Sequence, residues 1–369
     1  MPTCLQYGQA NVIRFDLPET SILLDRPGPT SEPIDDPAAA VAAGLANPID
    51  FPPLEQAITP DDRVVLALSP GVPSAEAIIA GAIYALTEAG VDARQIAIIH
   101  DPSETNLAGR DLTIGLPPDM AEQVQVVAHD PNDREKLAYL AANQQDQPLY
   151  FQRDIGEADV VIPIVCLRGD RILGQHGFAA ELYPTFADEA AQQRFLSIEA
   201  HENATARQQR IDEAEEASWL LGVTLCIGVL PADGGEALDV LVGERSAVAA
   251  RAKSLCAEGW EFAVPQRADL VIATIAGGIE QQTWENVGRA LDSASRAVTD
   301  EGAIVICCEL EQPPQHSIQR LAAGGTNQEA RREVRRDCFM DTLAADKLAE
   351  LSESHSFYFR SKLEPEVVE

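Results

Sequence analysis

Positive charge is what this chain has least of. Of its 369 residues 27 are Lys or Arg against 59 Asp or Glu, for a formal net charge of −32. Only four are lysines (Lys136, Lys253, Lys347 and Lys362), so residues 137–252 contain none. So acidic a surface repels phosphate backbones and anionic headgroups, which excludes nucleic acid and membranes as main partners. Any anionic ligand then needs a local basic patch. No apolar run approaches the roughly 20 residues that span a bilayer. The opening Met1-Pro-Thr-Cys-Leu-Gln-Tyr-Gly8 has neither the basic nor the apolar segment of a signal peptide. The seven cysteines are scattered, odd in number and free of any CxxC spacing. That fits reduced thiols used as small core residues in the cytoplasm. HExxH, P-loop, GxSxG and zinc spacings are absent, and so is GxGxxG. The last absence disfavours an NAD-type dehydrogenase.

What is present is alternation of apolar strands with amphipathic helices. The length suits two or three domains. The clearest unit runs from 268 to 310. Leu270–Ile275 reads as a strand buried on both faces. Gly277-Gly278 follows, then a helix with Trp284, Val287, Leu291, Ala294 and Val298 on one stripe. Gly302 closes the connection and Ala303–Cys308 is the next strand. This is a βαβ unit of a parallel sheet, and ligands of such sheets sit beyond the carboxyl ends of the strands. The two glycines fit either a close backbone approach to a ligand or a plain βα turn.

Earlier in the chain, residues 1–34 read as a short hairpin or edge pair. Asp35-Asp36-Pro37 caps a helix running to about Leu45. Arg63–Leu68 is a buried strand, Ala75–Ala89 a helix capped by Gly90, and Gln95–Ile99 a strand ending at His100-Asp101. Gln123–Ala128 is a strand ending at His129, Asp133–Ala142 a helix, and Ala158–Val165 a strand. An irregular loop follows, then a helix over Asp188–Ile198 and a connector, Glu199–Asn203. Beyond it lie a helix over Arg207–Leu221, strands Val223–Leu230 and Ala237–Val242, and a helix over Arg245–Cys256. Three short helices and an apolar piece, His355–Phe359, end the chain. The expectation is two α/β domains with mainly parallel sheets and a cleft between them. The first spans 1–203. The second, Rossmann-like, spans 204–369, with its last part possibly returning to the first.

Candidate chemistry collects at strand ends and in the Gly-rich loop. Ser69 precedes a helix N-terminus, where backbone N–H groups favour an anion, or sits in a plain turn. His100 and His129 end strands, as acid–base groups or as hydrogen-bonded loop residues. Gly174-Gln-His176-Gly, with Arg168, Asp170 and Arg171, is the densest group of functional residue types. His201 lies between Glu199 and Glu202, as a cleft residue or a solvated one. Segments 69–74, 100–106, 168–183 and 277–289 are expected to line the cleft.

The order of these pieces resembles the lactate racemase family. The resemblance runs through Tyr7-Gly8, Ala46-Asn-Pro-Ile49, Pro53-Leu54, Val64, Ala89-Gly-Val91, Ile96–Ile99, His129-Asp130, Ala158-Asp-Val160, Gly277-Gly278 and Gly302-Ala-Ile304. It implies two α/β domains with the site between them. It also implies a nickel-pincer nucleotide carried by a lysine, and hydride transfer at a 2-hydroxy acid with two histidines as acid and base. The functional residues diverge. Where the family has Asp-x-Thr-Arg-Pro, this chain reads Ala67-Leu-Ser-Pro-Gly71. Where it has Gly-Phe-Ser-Gly-Gly-x-Lys, this chain reads Gly177-Phe-Ala-Ala-Glu-Leu-Tyr183, so Tyr183 stands at the cofactor lysine. His176 lies near a family histidine but out of register, and His201 falls near a later one. Gln282 and Arg289 flank the helix after Gly-Gly, where Arg289 could supply positive charge. The chain stops sooner than the family pattern.

Two functions are carried forward. One is a diverged racemase or epimerase acting on a small anionic hydroxy acid or sugar acid, with His176 and His201 catalytic. Ser69, His100, Arg168, Arg171, Gln282 and Arg289 would bind its substrate, and the nickel-pincer nucleotide would be held non-covalently beside Tyr183 or not at all. The other is a binding or regulatory homologue that kept the fold and lost the chemistry. The sequence leaves metal ligands and oligomeric state open.

Overall fold

The computed structural model describes residues 3–26, 28–29, 31–102, 110–323 and 327–364. Strands β1 (Thr3–Tyr7) and β2 (Asn11–Phe15) form an antiparallel hairpin. Helix α1 (Pro37–Ala46) starts where Asp36 accepts the Ala39 amide at 2.9 Å, a side-chain cap with Pro at the first helical position. Strand β3 (Val64–Leu68), helix α2 (Ala75–Glu88), strand β4 (Ile96–His100) and strand β5 (Gln125–Ala128) follow the expected spans closely.

The helix expected over 133–142 is instead strand β6 (Leu137–Ala142), paired antiparallel with β7 (Pro148–Gln152). Its Ala and Leu favour a helix, but the turn chemistry overrides them. Asn143 accepts the amides of Gln145 and Gln147 through its side chain, and Asp146 takes the left-handed conformation at φ 59°. That closes a hairpin, and local propensity yields to it.

Strand β8 (Val160–Cys166) leads into the irregular loop. Helices α3 (Glu189–Leu196), α4 (Ile198–Glu202) and α5 (Ala204–Leu220) come next, then β9 (Leu225–Pro231), β10 (Ala237–Glu244) and α6 (Arg245–Trp260). The first sheet has the order β10-β9-β8-β3-β4-β5 and is parallel except for β10. The boundary expected at residue 203 therefore does not separate the sheets, because β9 and β10 extend the first one. The second sheet starts at β11 (Ala268–Thr274) and contains β12 (Val298–Cys307) and β13 (Ser356–Arg360), all parallel. Helix α7 (Trp284–Ser295) makes the crossover. Helices α8 (His316–Ala322), α9 (Asn327–Val334) and α10 (Thr342–Leu351) precede β13.

All five residues of β3 are buried, as a strand covered on both faces requires. Its two faces feed different cores. Val64, Leu66 and Leu68 pack with Ile78, Ile79 and Ile83 of α2. Val65 and Ala67 pack with Phe151, Tyr183, Phe186 and Phe195. Burying each large side chain contributes about 1.5–3 kcal/mol relative to leaving it in water. A third core joins β12 to Trp284, Val287 and Leu291 of α7.

The hairpin at the start of the chain docks on the second sheet. Gly8 donates to the Ile275 carbonyl at 2.8 Å and accepts from the Gly277 amide at 2.9 Å. Arg360 of β13 donates to the Tyr7 hydroxyl at 2.9 Å. Gly8 sits at φ 60°, and a Cβ there would overlap the Glu309 carboxylate, which binds the Gln9 amide and the Asn11 side chain.

Candidate functional site between the two sheets

The carboxyl ends of β3, β8 and β11 open onto one place. After β3, Ser69-Pro-Gly71 turns with Gly71 at φ 73°. After β8, Arg168 reaches back to the Pro70 carbonyl at 3.5 Å. After β11, Gln281 reaches the Gly71 carbonyl at 3.4 Å, which ties the second sheet's loop to the first sheet's. Ser69 donates its hydroxyl to the Glu181 carbonyl at 2.7 Å. Arg289, on the inner face of α7, donates to the Leu173 carbonyl at 3.4 Å. Segments 69–74, 168–183 and 277–289 thus meet. Of the fourth segment, residues 103–106 lie outside the described residues.

The centre of this junction is a set of paired charges. Arg168 and Glu181 lie 3.4 Å apart, each side chain 14% exposed. Gln175 donates to the same Glu181 oxygen at 3.4 Å. Arg289 pairs with Glu285 and donates to Asn286 at 2.8 Å, while Asn286 donates to the Gln281 carbonyl at 2.8 Å. Burial pushes the Glu181 carboxyl up, against the pull of Arg168 and Arg289. Burial likewise lowers Arg289, against Glu285 and Glu181. These two shifted groups come from the loop after β8 and from α7, and perturbed groups brought together across elements are the pattern of a functional site.

Other expected site residues sit elsewhere or are already engaged. Gln282 is buried and staples its own loop: it donates to the carbonyls of Ile275 and Gly277, and its oxygen accepts the Glu309 amide at 2.7 Å. His100 is buried, its Nδ1 2.7 Å from the Asp101 carbonyl. His129 is buried with Nε2 2.8 Å from the Ala187 carbonyl. Arg171 is exposed, and its carbonyl accepts from Arg296.

His176 and His201 were expected to flank a substrate carbon. The structure brings them together, but in contact: their ring centroids are 4.5 Å apart, which leaves no room for a substrate carbon between them. His176 donates through Nε2 to the Phe195 carbonyl at 3.2 Å and sits edge-on to the Phe195 ring. Burial, then the neighbouring His201, lower His176 to about 3, and burial lowers His201 to about 4. Both imidazoles are neutral at neutral pH.

Tyr183 is fully buried in the second core. Its hydroxyl donates to Glu213 at 2.8 Å and accepts from Arg194 at 2.9 Å. Arg194 and Arg210 both pair with Glu213.

Glu181, Gln281, Glu285 and Asn286 fall inside the segments expected to line the cleft but were not named individually for the site, and Gln175 figured only as part of the Gly174–Gly177 loop. Glu181 carries the weakest signal, a lone acid closing Gly177-Phe-Ala-Ala-Glu181. Only the fold reveals that it faces two arginines.

Residues 7–191 match the family described as the lactate racemase N-terminal domain. The chain belongs to the lactate racemase family. Among solved structures it is similar to the lactate racemase apoprotein from Thermoanaerobacterium thermosaccharolyticum, with 16% identity, TM-score 0.75, and coverage of 98% of this chain and 88% of that one. It is also similar to a protein from Thermotoga maritima, with 12% identity, TM-score 0.63, and 90% of each chain covered. At these identities the likeness speaks for the fold. No curated protein matches the sequence significantly.

The residues present do not fit the family's nickel-pincer nucleotide. No lysine lies between Lys136 and Lys253, and Tyr183, which the resemblance places at the lysine position, commits its hydroxyl to Glu213 and Arg194. Among the described residues, no group of three or more His, Cys, Asp or Glu is arranged to hold a metal ion.

Proposed function

We propose that this lactate racemase-like protein binds a small anionic 2-hydroxy acid or sugar acid where the two sheets meet, without the family's covalent cofactor chemistry. The observation that carries the reading is the convergence of Arg168 and Arg289 beside Ser69, Gln175 and Gln281. A carboxylate entering there takes over guanidinium donors from Glu181 or Glu285, and the two amides serve the hydroxyl groups. The local cations are needed because the net charge otherwise repels such a ligand. Contact between His176 and His201, and their neutrality, argue against a two-faced acid–base pair.

A second reading, an isomerase with a rebuilt site, rests on Glu181. A carboxyl raised by burial and facing two arginines is a general-base candidate. The two readings separate in one experiment. The whole chain is titrated with D- and L-lactate and with sugar acids by calorimetry, and each bound acid is then incubated in D2O. The binding reading expects saturable binding, at least about tenfold weaker in Arg168→Gln, with no α-deuterium and no change of configuration. Deuterium incorporation lost in Glu181→Gln establishes the isomerase instead. No binding to any of these acids overturns both.

A further inference from the structure

We propose that the arginine-lined concavity on α9 is a binding site for a phosphoryl dianion, separate from the junction of the sheets. The concavity has a volume of about 390 Å³ and is lined by Gln328, Arg331, Arg332, Arg335 and Glu353. That volume lies within the ~300–1,000 Å³ range of small-ligand sites. In a chain with 59 acids and 27 bases, four arginines within residues 331–336 are an anomaly. Arg331 is on the last turn of α9 and Arg335 follows immediately after its end, so like charges crowd the helix terminus.

Acids hold two of these arginines from the side. Asp346 of α10, 5% exposed, takes Arg331 at 2.9 Å and lies 3.6 Å from Arg335. Glu350 lies 3.4 Å from Arg331, and Glu202 of α4 takes Arg335 through both oxygens. None of those three acids lines the concavity. They fix the guanidinium planes while leaving Arg331 Nη1 and Arg335 Nε without a hydrogen bond to them. Arg332 is exposed and has no ion-pair or hydrogen-bond partner among the described residues. The wall itself presents three guanidinium groups, one amide and one carboxylate, and of the three arginines Arg332 has its charge uncompensated by an ion pair among the described residues.

A phosphoryl group matches this wall in charge and in geometry. Several terminal oxygens accept from several planar forks at once, which chloride or a single carboxylate cannot do. The chain's acidity suppresses loose anion binding, so only multiply hydrogen-bonded anions overcome the field. The proposal covers free phosphate and phosphate esters alike, and the test separates them.

The whole chain is titrated by calorimetry at constant ionic strength with inorganic phosphate, pyrophosphate and a nucleoside monophosphate. Arg332→Gln and Glu353→Gln are titrated in parallel; both side chains are exposed, so folding is preserved, and circular dichroism checks it. The expected result is saturable binding weakened about tenfold or more by Arg332→Gln and strengthened severalfold by Glu353→Gln. Tighter binding of the monophosphate than of phosphate identifies an ester as the ligand, and the reverse identifies the free ion. Absence of saturable binding to all three, or binding that neither substitution alters, overturns the proposal.

Discussion

The resemblance places Tyr183 where the family carries its cofactor lysine, and its surroundings argue that a lysine put there would not restore one. Its hydroxyl is one corner of a buried network with Glu213, Arg194 and Arg210. A Tyr183→Lys side chain would meet Glu213 and form a buried ion pair rather than an exposed amine. Expressed in cells that make the pincer nucleotide, Tyr183→Lys protein is expected to show its unmodified intact mass; a covalent adduct would refute this. Within the network the carboxylate matters most. Tyr183→Phe removes one hydroxyl and should cost about 1–2 kcal/mol. Glu213→Ala leaves two arginines without their partner and should cost about 3–5 kcal/mol. Urea unfolding of both variants checks the order. The two histidines make a prediction about acid. Each is held below its unfolded value near 6.5, at about 3 and about 4. Between those values the unfolded chain binds more protons than the folded one, so their contribution is complete above pH 6.5 and is lost as pH falls. His201→Gln should therefore lose about 1–2 kcal/mol less stability than the parent between pH 6.5 and 5, at up to about 1.4 kcal/mol per pH unit. Parallel loss in the two proteins would show that His201 titrates normally. The sequence marked His176, His201 and Tyr183 by type and place. It did not reveal their partners, because Phe195 and Glu213 approach them only in the folded chain.

Among the elements, the strands of the first sheet were readable because burial on both faces leaves an unbroken apolar run. The hairpin of β6 and β7 was not, since its composition suits a helix and Asn143 decides the matter through turn hydrogen bonds. The contact between α1 and α2 was also hidden, because it depends on having no side chain at all. A Cβ on Gly81 would collide with the Ala38 backbone of α1. Gly81→Ala relieves helix-interior glycine by roughly 1 kcal/mol, yet it forces two closely packed helices apart, and overpacking costs about 1–3 kcal/mol. The expected net effect is destabilisation, with α1 released first. Amide exchange over residues 37–46 should speed up more than over 75–88. A variant as stable as the parent would mean that α1 shifts freely on its neighbour.

For the whole molecule, charge is the governing quantity. A net charge of −32 repels itself over distances that salt shortens, from about 30 Å at 0.01 M to about 3 Å at 1 M. The ion pairs are local and offset little of that field. The melting temperature is expected to rise by several degrees from 0.05 to 1 M KCl, as scanning calorimetry would record. A flat or falling trend would mean that pairing already balances the surface. Composition shows the charge directly; it could not foretell that the first sheet continues past the expected domain boundary into β9 and β10, since strand partners are chosen by the fold and not by the spacing of elements.

The docking of the first hairpin onto the second sheet has a consequence for how the protein is made. Tyr7 meets Arg360 across a separation of 353 residues. At a synthesis rate of about 5–20 residues per second, the hairpin waits some tens of seconds before its partner leaves the ribosome. Strands β1 and β2 thus wait longest for their partner among the strands described, and until then their edge stands open to other chains.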